Sequence, residues 1–253
     1  MTIDELQNVD ESQAAHFYLR TFSQEISPGN LVFIAERPAG GKTRVALNLA
    51  ASFAIERRQP TCYISLGYRA DVITKIMTST VSSIPSDTLN KGSLPIMEFG
   101  KLLRGVEKIY AAPFYLIDPS EYHIDTLAED IHRLKVEHRI EVVFIDYLSF
   151  IRTDLDGTDR YPSLIARLQR IAEEEHIAIV ALLQIRRSRS ADLETHVASE
   201  LSRLGADKHP TLLAIKIIKT DKGELQHHLR LFNSTRPVIM EDRGGTAIAD
   251  TKT

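Results

Sequence analysis

The sequence predicts an α/β fold in which a mainly parallel central sheet is flanked by helices, with an antiparallel hairpin near the C-terminus. Three observations predict it. Short, largely apolar runs recur: LVFIA (31–35), TCYISL (61–66), FYLID (114–118), VVFID (142–146) and IAIVALL (177–183). Runs without polar alternation suit strands covered on both faces. Segments with apolar residues at helical spacing separate these runs, and that alternation makes βαβ units and a parallel sheet. Finally, LLAIKII (212–218) and LQHHLRLF (225–232) flank Thr220–Gly223 in the pattern of a hairpin.

Taken in order, residues 1–26 are expected to be helical, with Thr2 and Glu5 spaced as a capping box. Ser27-Pro28-Gly29-Asn30 breaks the chain before the first strand. After a Gly-rich loop, Val45, Leu47, Leu49, Ala50, Phe53 and Ala54 recur at helical spacing up to Arg57-Arg58. Helices are expected over 69–82 and 97–107, separated by a loop, 83–95, rich in Ser, Pro, Asn and Gly. Ile124–Val136 reads as a helix with Leu127, Ile131 and Leu134 on one face, and Pro162–Glu175 as another with Leu164, Leu168, Ile171 and Ala172 inward. The polar stretch 186–210 is expected to hold a helix around 194–204. The expected division is a helical extension (1–26), one α/β domain (27–240) and a loose tail (241–253).

Bulk composition narrows the function. With 253 residues, 43% of them hydrophobic, one large domain is expected rather than two small ones. A formal charge of −3 excludes a global basic field, so nucleic acid would have to be held by a local patch. The single Cys62 excludes an internal disulfide, and its neighbours read as a buried strand. The acidic, polar MTIDELQNVDESQ does not read as a signal peptide, and apolar runs such as Ile177–Leu183 fall short of the roughly 20 residues that span a bilayer. The expectation is a soluble, cytoplasmic protein with no membrane partner.

The chemistry is concentrated where the strands end, the place at which open α/β sheets bind ligands. ERPAGGKT (36–43) closes like a phosphate-binding loop, with Gly41, Lys42 and Thr43 in place, although Glu36 stands where the pattern has its first glycine. Arg37, Pro38, Ala39, Gly40 and Gly41, with Lys42, Thr43 and Arg44 at the helix start, form the candidate nucleotide-binding set for ATP. Backbone N–H groups at a helix start face phosphates. Lys42 would neutralise the β/γ-phosphates and Thr43 would offer its hydroxyl to Mg²⁺. The plainer alternative is a Gly-Gly turn beside a surface lysine.

Asp146 ends VVFID, where a carboxylate can hold the Mg²⁺ water shell or merely cap the next turn. Gln184 ends the following strand, placed either to contact the terminal phosphate or to be a solvated loop glutamine. Arg186, Arg187 and Arg189 open the next loop and suit a phosphate backbone, yet Asp192 and Glu194 follow closely and could neutralise them. No aromatic lies in 184–210, which argues against base stacking there. The adjacent His227-His228 would alternate across a strand instead of converging on a metal.

These stretches together resemble the ATPase domain of the DnaB-type replicative helicases. The resemblance is carried by PGNLVFIAERPAGGKTRVALNLA (28–50), VVFIDYLSFI (142–151), IAEEEHIAIVALLQIRRS (171–188) and SELSRLGADKHPTLLAIK (199–216), in the family's order. It covers roughly 28–240 and is weak at 67–110. The family's loop also has Arg-Pro before Gly-Lys-Thr and lacks the first glycine, as Arg37-Pro38 does here. The resemblance implies a RecA-like P-loop NTPase fold, working as a homo-oligomeric, hexameric ring with ATP between subunits and single-stranded DNA in the channel. By the same resemblance, Lys42 and Thr43 hold phosphates and Mg²⁺, Asp146 is the Mg²⁺ carboxylate, and Gln184 senses the γ-phosphate. The loop after Gln184 faces the DNA, and Lys216 is the basic residue inserted into the neighbour's site.

Three departures stand out. The family's Ser-Leu-Glu, whose Glu polarises the attacking water, is Ser65-Leu66-Gly67 here. Its arginine finger, two positions after the Lys216 equivalent, is Ile218, and Glu36 replaces a small residue. A general base is worth about 10²–10⁴ in rate and an arginine finger about 10³–10⁵, whereas binding rests on the loop backbone, Lys42 and Mg²⁺. Glu36, Lys219 or Arg236 are candidate replacements, although Lys219 falls on the opposite sheet face from Ile218. Two functions follow as expectations: a DnaB-like helicase motor, or a hydrolysis-deficient nucleotide-binding regulatory or assembly subunit. A RecA-like signalling or recombination ATPase of another branch is a third, against which the stretch 199–210 speaks.

Overall fold

The computed structural model describes residues 23–24, 26–36, 42–91, 94–184, 199, 202–203, 211–219 and 225–233, with Glu36, Lys42, Lys91 and the last two strands described by their backbone. The elements run β1 (Leu31–Glu36), α1 (Lys42–Ala51), β2 (Thr61–Ser65), α2 (Ala70–Ser82), α3 (Ser86–Lys91), α4 (Ile96–Tyr110), β3 (Phe114–Ile117), β4 (Tyr122–His123), α5 (Ile124–His138), β5 (Val142–Asp146), β6 (Ile151–Arg152), α6 (Arg160–Glu174), β7 (Ala178–Gln184), β8 (Thr211–Lys219) and β9 (Leu225–Asn233).

Seven strands form one sheet in the order β3-β2-β5-β7-β1-β8-β9, and β4 pairs with β6 in a second, two-stranded sheet. Every pairing in the large sheet is parallel except β8 with β9. The mainly parallel sheet and its closing hairpin are therefore as the sequence predicts.

Strand geometry explains the largely apolar runs. Successive side chains point to opposite faces, and both faces here are covered. Leu31, Phe33 and Ala35 join Cys62, Ile64, Val143, Ile145, Ile179 and Ala181 in a core with Leu127, Ile131, Leu164 and Leu168 of α5 and α6. Val32 and Ile34 join Tyr63, Phe144, Val180 and Leu182 in the other, with Val45, Leu49 and Phe53 of the first helical segment and Ile73 and Met77 of α2. Strands β1, β2, β5 and β7 thus each supply both cores, and their interior positions are apolar.

Local chemistry sets the boundaries. At Ser27-Pro28-Gly29-Asn30 the Asn30 N–H donates to the Ser27 carbonyl at 3.0 Å and Gly29 has φ +83°. Proline second and a positive-φ glycine third make a type II turn. Three details differ from expectation. The segment 83–95 is not all loop: the Pro85 carbonyl accepts from Thr88 and Leu89 N–H, and α3 forms, since serine and proline also suit a helix's first turn. After α1 the helix widens into a π-helical segment, Ser52–Glu56, closed by Arg57 N–H on the Ser52 carbonyl. The two-residue strands β4 and β6 are too short for any periodicity. Most of the helix expected over 1–26, and most of that around 194–204, lies outside the described residues, as does the tail 241–253.

Two glycines of α4 make opposite predictions. A Cβ on Gly105 would lie 2.8 Å from Ser82 Cβ and 3.1 Å from its Cα, so this glycine sets how closely α4 packs on α2. At Gly100 a Cβ would meet only Arg104 Nη1, at 3.5 Å. Alanine gains about 1 kcal/mol of helix propensity at either position, while overpacking costs about 1–3 kcal/mol. Denaturant titration is expected to show Gly105→Ala less stable than wild type and Gly100→Ala equal or more stable.

Cys62 gives a pH dependence. Burial, with Asp130's charge as a lesser cause, pushes its thiol from 9.0 up to about 12. The unfolded chain releases this proton at lower pH than the folded one. The thiol's contribution to stability is therefore complete below about pH 9 and is lost as pH rises towards about 12, with a limiting slope of about 1.4 kcal/mol per pH unit. Cys62→Ala is expected to flatten unfolding free energy against pH over that window.

Candidate nucleotide and magnesium site

The parallel register gathers the candidate residues at the carboxyl edge of the sheet. Ser65 of β2 stands opposite Asp146 of β5. Glu36, last in β1, stands opposite Gln184, last in β7, with Ile215 of β8 on its other side. Lys216, at the register position facing His228, is the next residue along β8. Because β7 separates β1 from β5, the strand leading into the glycine loop lies about 10 Å from the strand ending in Asp146, two strand spacings away.

Asp146 is a carboxylate with no solvent exposure. Its Oδ2 accepts a hydrogen bond of 2.8 Å from the Tyr63 hydroxyl, and Tyr63 is itself buried, stacked on Phe144 with ring centroids 5.9 Å apart. Burial pushes the Tyr63 phenol well up, and the charge of Asp146 and its hydrogen bond add to that, so the phenol stays a proton donor. The backbone carbonyl of Asp146 is held as well, accepting from Leu66 N–H at 2.6 Å and Gly67 N–H at 3.3 Å. The bond from Ser65 Oγ to the Tyr68 carbonyl, at 2.6 Å, closes the turn that follows β2.

Thr43 lies in the first turn of α1 and is 7% exposed. The chain thus has a buried hydroxyl at the start of α1 and a buried carboxylate at the end of β5. Both are oxygen donors, the kind a hard cation such as Mg²⁺ takes, so the residues present fit the ion. Of the other expected residues, Lys42 opens α1, Arg44 is exposed on it, and Gln184 is exposed at its strand end. Arg37, Pro38, Ala39, Gly40 and Gly41 lie outside the described residues, as do Arg186, Arg187 and Arg189.

The family model described as the DnaB-like helicase C terminal domain matches residues 17–205. This chain belongs to that family. The replicative DNA helicase DnaB of Treponema pallidum (strain Nichols) is 32% identical over 160 residues, covering 62% of this chain and 36% of that protein. A probable plasmid replicative DNA helicase of Chlamydia trachomatis is 32% identical over 165 residues, with 64% and 36% covered. The chain thus matches only about a third of the length of these curated relatives. Among solved structures, the ATPase domain of G40P superposes with a TM-score of 0.68 at 18% identity, covering 89% of this chain and 90% of that one. A DnaB-like replicative helicase, described with its interactions with primase, gives 0.66 at 19% identity, covering 86% and 57%. Both share the fold, which is RecA-like. Among the described residues, no helix is long and apolar enough to cross a membrane.

The DnaB-like framework shows what reading the sequence missed. Tyr63 and Tyr147 are absent from the expected site. A tyrosine within an apolar strand signals a hydroxyl that needs a partner, but which partner depends on strand register. His123, Asp125 and Asp154 also come together, and none of them is among the expected site residues. The His123 ring accepts the Asp125 N–H at 3.3 Å, which makes it the cap of α5.

Tyr63→Phe removes one oxygen from a buried pair and leaves Asp146 without that donor. Hydrogen bonds to charged groups are worth about 1.5–3 kcal/mol. A stability loss of that order, read from urea unfolding, is the expected outcome.

Proposed function

We propose that this DnaB-like domain binds ATP with Mg²⁺ at the carboxyl edge of its sheet. It works as a cytoplasmic homo-oligomeric ring, a hexamer, on single-stranded DNA, coupling hydrolysis to translocation or unwinding in replication. One observation carries the nucleotide half of this reading: two oxygen donors are buried where the loop and strand end, Thr43 at the start of α1 and Asp146 at the end of β5. The DNA and ring halves are supported by family membership and by the relatives named as replicative helicases.

Each residue has a role in this reading. Arg37–Gly41 present backbone to the phosphates, Arg44 flanks the nucleotide, and Lys42 neutralises phosphate charge. Thr43 and Asp146 hold the cation, which when bound supplies positive charge beside the phosphates. Gln184 contacts the terminal phosphate, and Arg186, Arg187 and Arg189 follow the DNA backbone. Lys216 reaches the neighbouring subunit's nucleotide.

A second reading, a nucleotide-binding regulatory or assembly subunit that hydrolyses little, is favoured by one specific observation. The position of a Cβ on residue 67 is already filled by the Tyr147 ring, 2.5 Å away at Cε2. A carboxylate introduced at Gly67 has to displace that ring before it can reach a water.

ATP turnover measured with and without single-stranded DNA separates the two. The motor predicts DNA-stimulated hydrolysis and a solution mass that reports a ring, both lost or weakened in Lys42→Ala. The regulatory subunit predicts saturable ATP binding with turnover near background. A monomer in every condition, with no saturable ATP signal, contradicts both.

A further inference from the structure

Alternation along two paired strands puts a tyrosine and a carboxylate on one face of the sheet. Thr61, Tyr63 and Ser65 of β2 point to the same side as Val142, Phe144 and Asp146 of β5. In this register Tyr63 stands opposite Phe144, two positions before Asp146, so its side chain has to lean along the strand to reach the carboxylate. Two aromatic rings hold it there. Phe144 stacks on the phenol with 17° between the planes, and Phe114 of β3 lies tilted against it with centroids 6.5 Å apart. Neither Tyr63 nor Asp146 has any solvent exposure, and the hydroxyl donates to Oδ2 at 2.8 Å. Burial, the largest of the effects that raise this phenol, keeps the proton on it.

We propose that Tyr63 is a positioning residue for the magnesium carboxylate, its hydroxyl setting the plane in which Asp146 meets the cation. The last torsion of an aspartate is broad and has no narrow staggered well of its own. An orienting bond therefore has to come from outside the side chain, and Tyr63 supplies it from a rigid strand. The donor is also neutral. It fixes one oxygen and leaves in place the negative charge that a hard cation needs, whereas a lysine or arginine at this position would compensate that charge. This inference rests on the reading that the site binds ATP with Mg²⁺.

The test compares the affinity of the full chain for a fluorescent ATP analogue in Mg²⁺ and in EDTA. Tyr63→Phe keeps an aromatic ring between Phe144 and Phe114 and removes the hydroxyl. Partners behind a metal ligand are worth about 10–100-fold in metal affinity, so the gain in affinity from Mg²⁺ is expected to fall about tenfold while affinity in EDTA is unchanged. Met77→Ala lowers stability from within the same core and is expected to keep the whole gain. Where Tyr63→Phe unfolds in buffer, all three proteins are compared in trimethylamine N-oxide, which strengthens burial. A Tyr63→Phe protein that keeps the full gain overturns the proposal, and so does one that loses affinity equally in Mg²⁺ and EDTA. A Met77→Ala protein that loses the same gain overturns it too, because general loosening would then account for the effect. A wild type with equal affinity in both conditions instead contradicts the nucleotide–magnesium reading, and the proposal falls with it.

Discussion

The burial of one carboxylate governs this structure. Taking Asp146 out of water carries an effective penalty of several kcal/mol, and the surrounding chain is arranged to offset it. Tyr63 is placed by β2 with its hydroxyl on Oδ2, and it can be there only because β2 and β5 pair in parallel with Ser65 opposite Asp146. A slip of one residue would turn Tyr63 into the opposite core and leave the carboxylate without its phenol. The register that builds the two cores is therefore the one that makes a buried anion tolerable.

The same constraint runs outward to the rest of the site. The Asp146 carbonyl draws in the N–H groups of Leu66 and Gly67, which brings the chain after β2 against Tyr147. Tyr147 in turn packs against the core that Val45, Ala46 and Leu49 of α1 build on the sheet. Sheet, turn and the core under α1 thus meet at two adjacent residues, Asp146 and Tyr147. Rigid elements fix the oxygen donors, as a site for a hard cation needs.

Much of the fold was legible because both faces of the sheet are covered. Strands such as VVFID carry no polar residue until their last position, so strand and strand end are marked together. Helix α5 was legible from Leu127, Ile131 and Leu134, all buried as their spacing requires. The short helix α3 was not, because Ser86, Asp87 and Asn90 belong equally to turns and to helix ends. Among the candidate site residues, Thr43 and Asp146 stand out in the sequence through the residues flanking them. Tyr63, Tyr147 and the filled space at Gly67 do not, since each depends on which strand lies beside which. Sequence spacing carries periodicity, but the contact between Gly67 and Tyr147 spans 80 positions of chain.

The most direct test of this account is a crystal structure of the full chain with a non-hydrolysable ATP analogue and magnesium. The account predicts a magnesium ion about 2.0–2.1 Å from Thr43 Oγ, between that hydroxyl and the Asp146 carboxylate, with Tyr63 still donating to Oδ2. A nucleotide bound elsewhere, or an ion whose ligands include neither Thr43 nor a water held by Asp146, would contradict it.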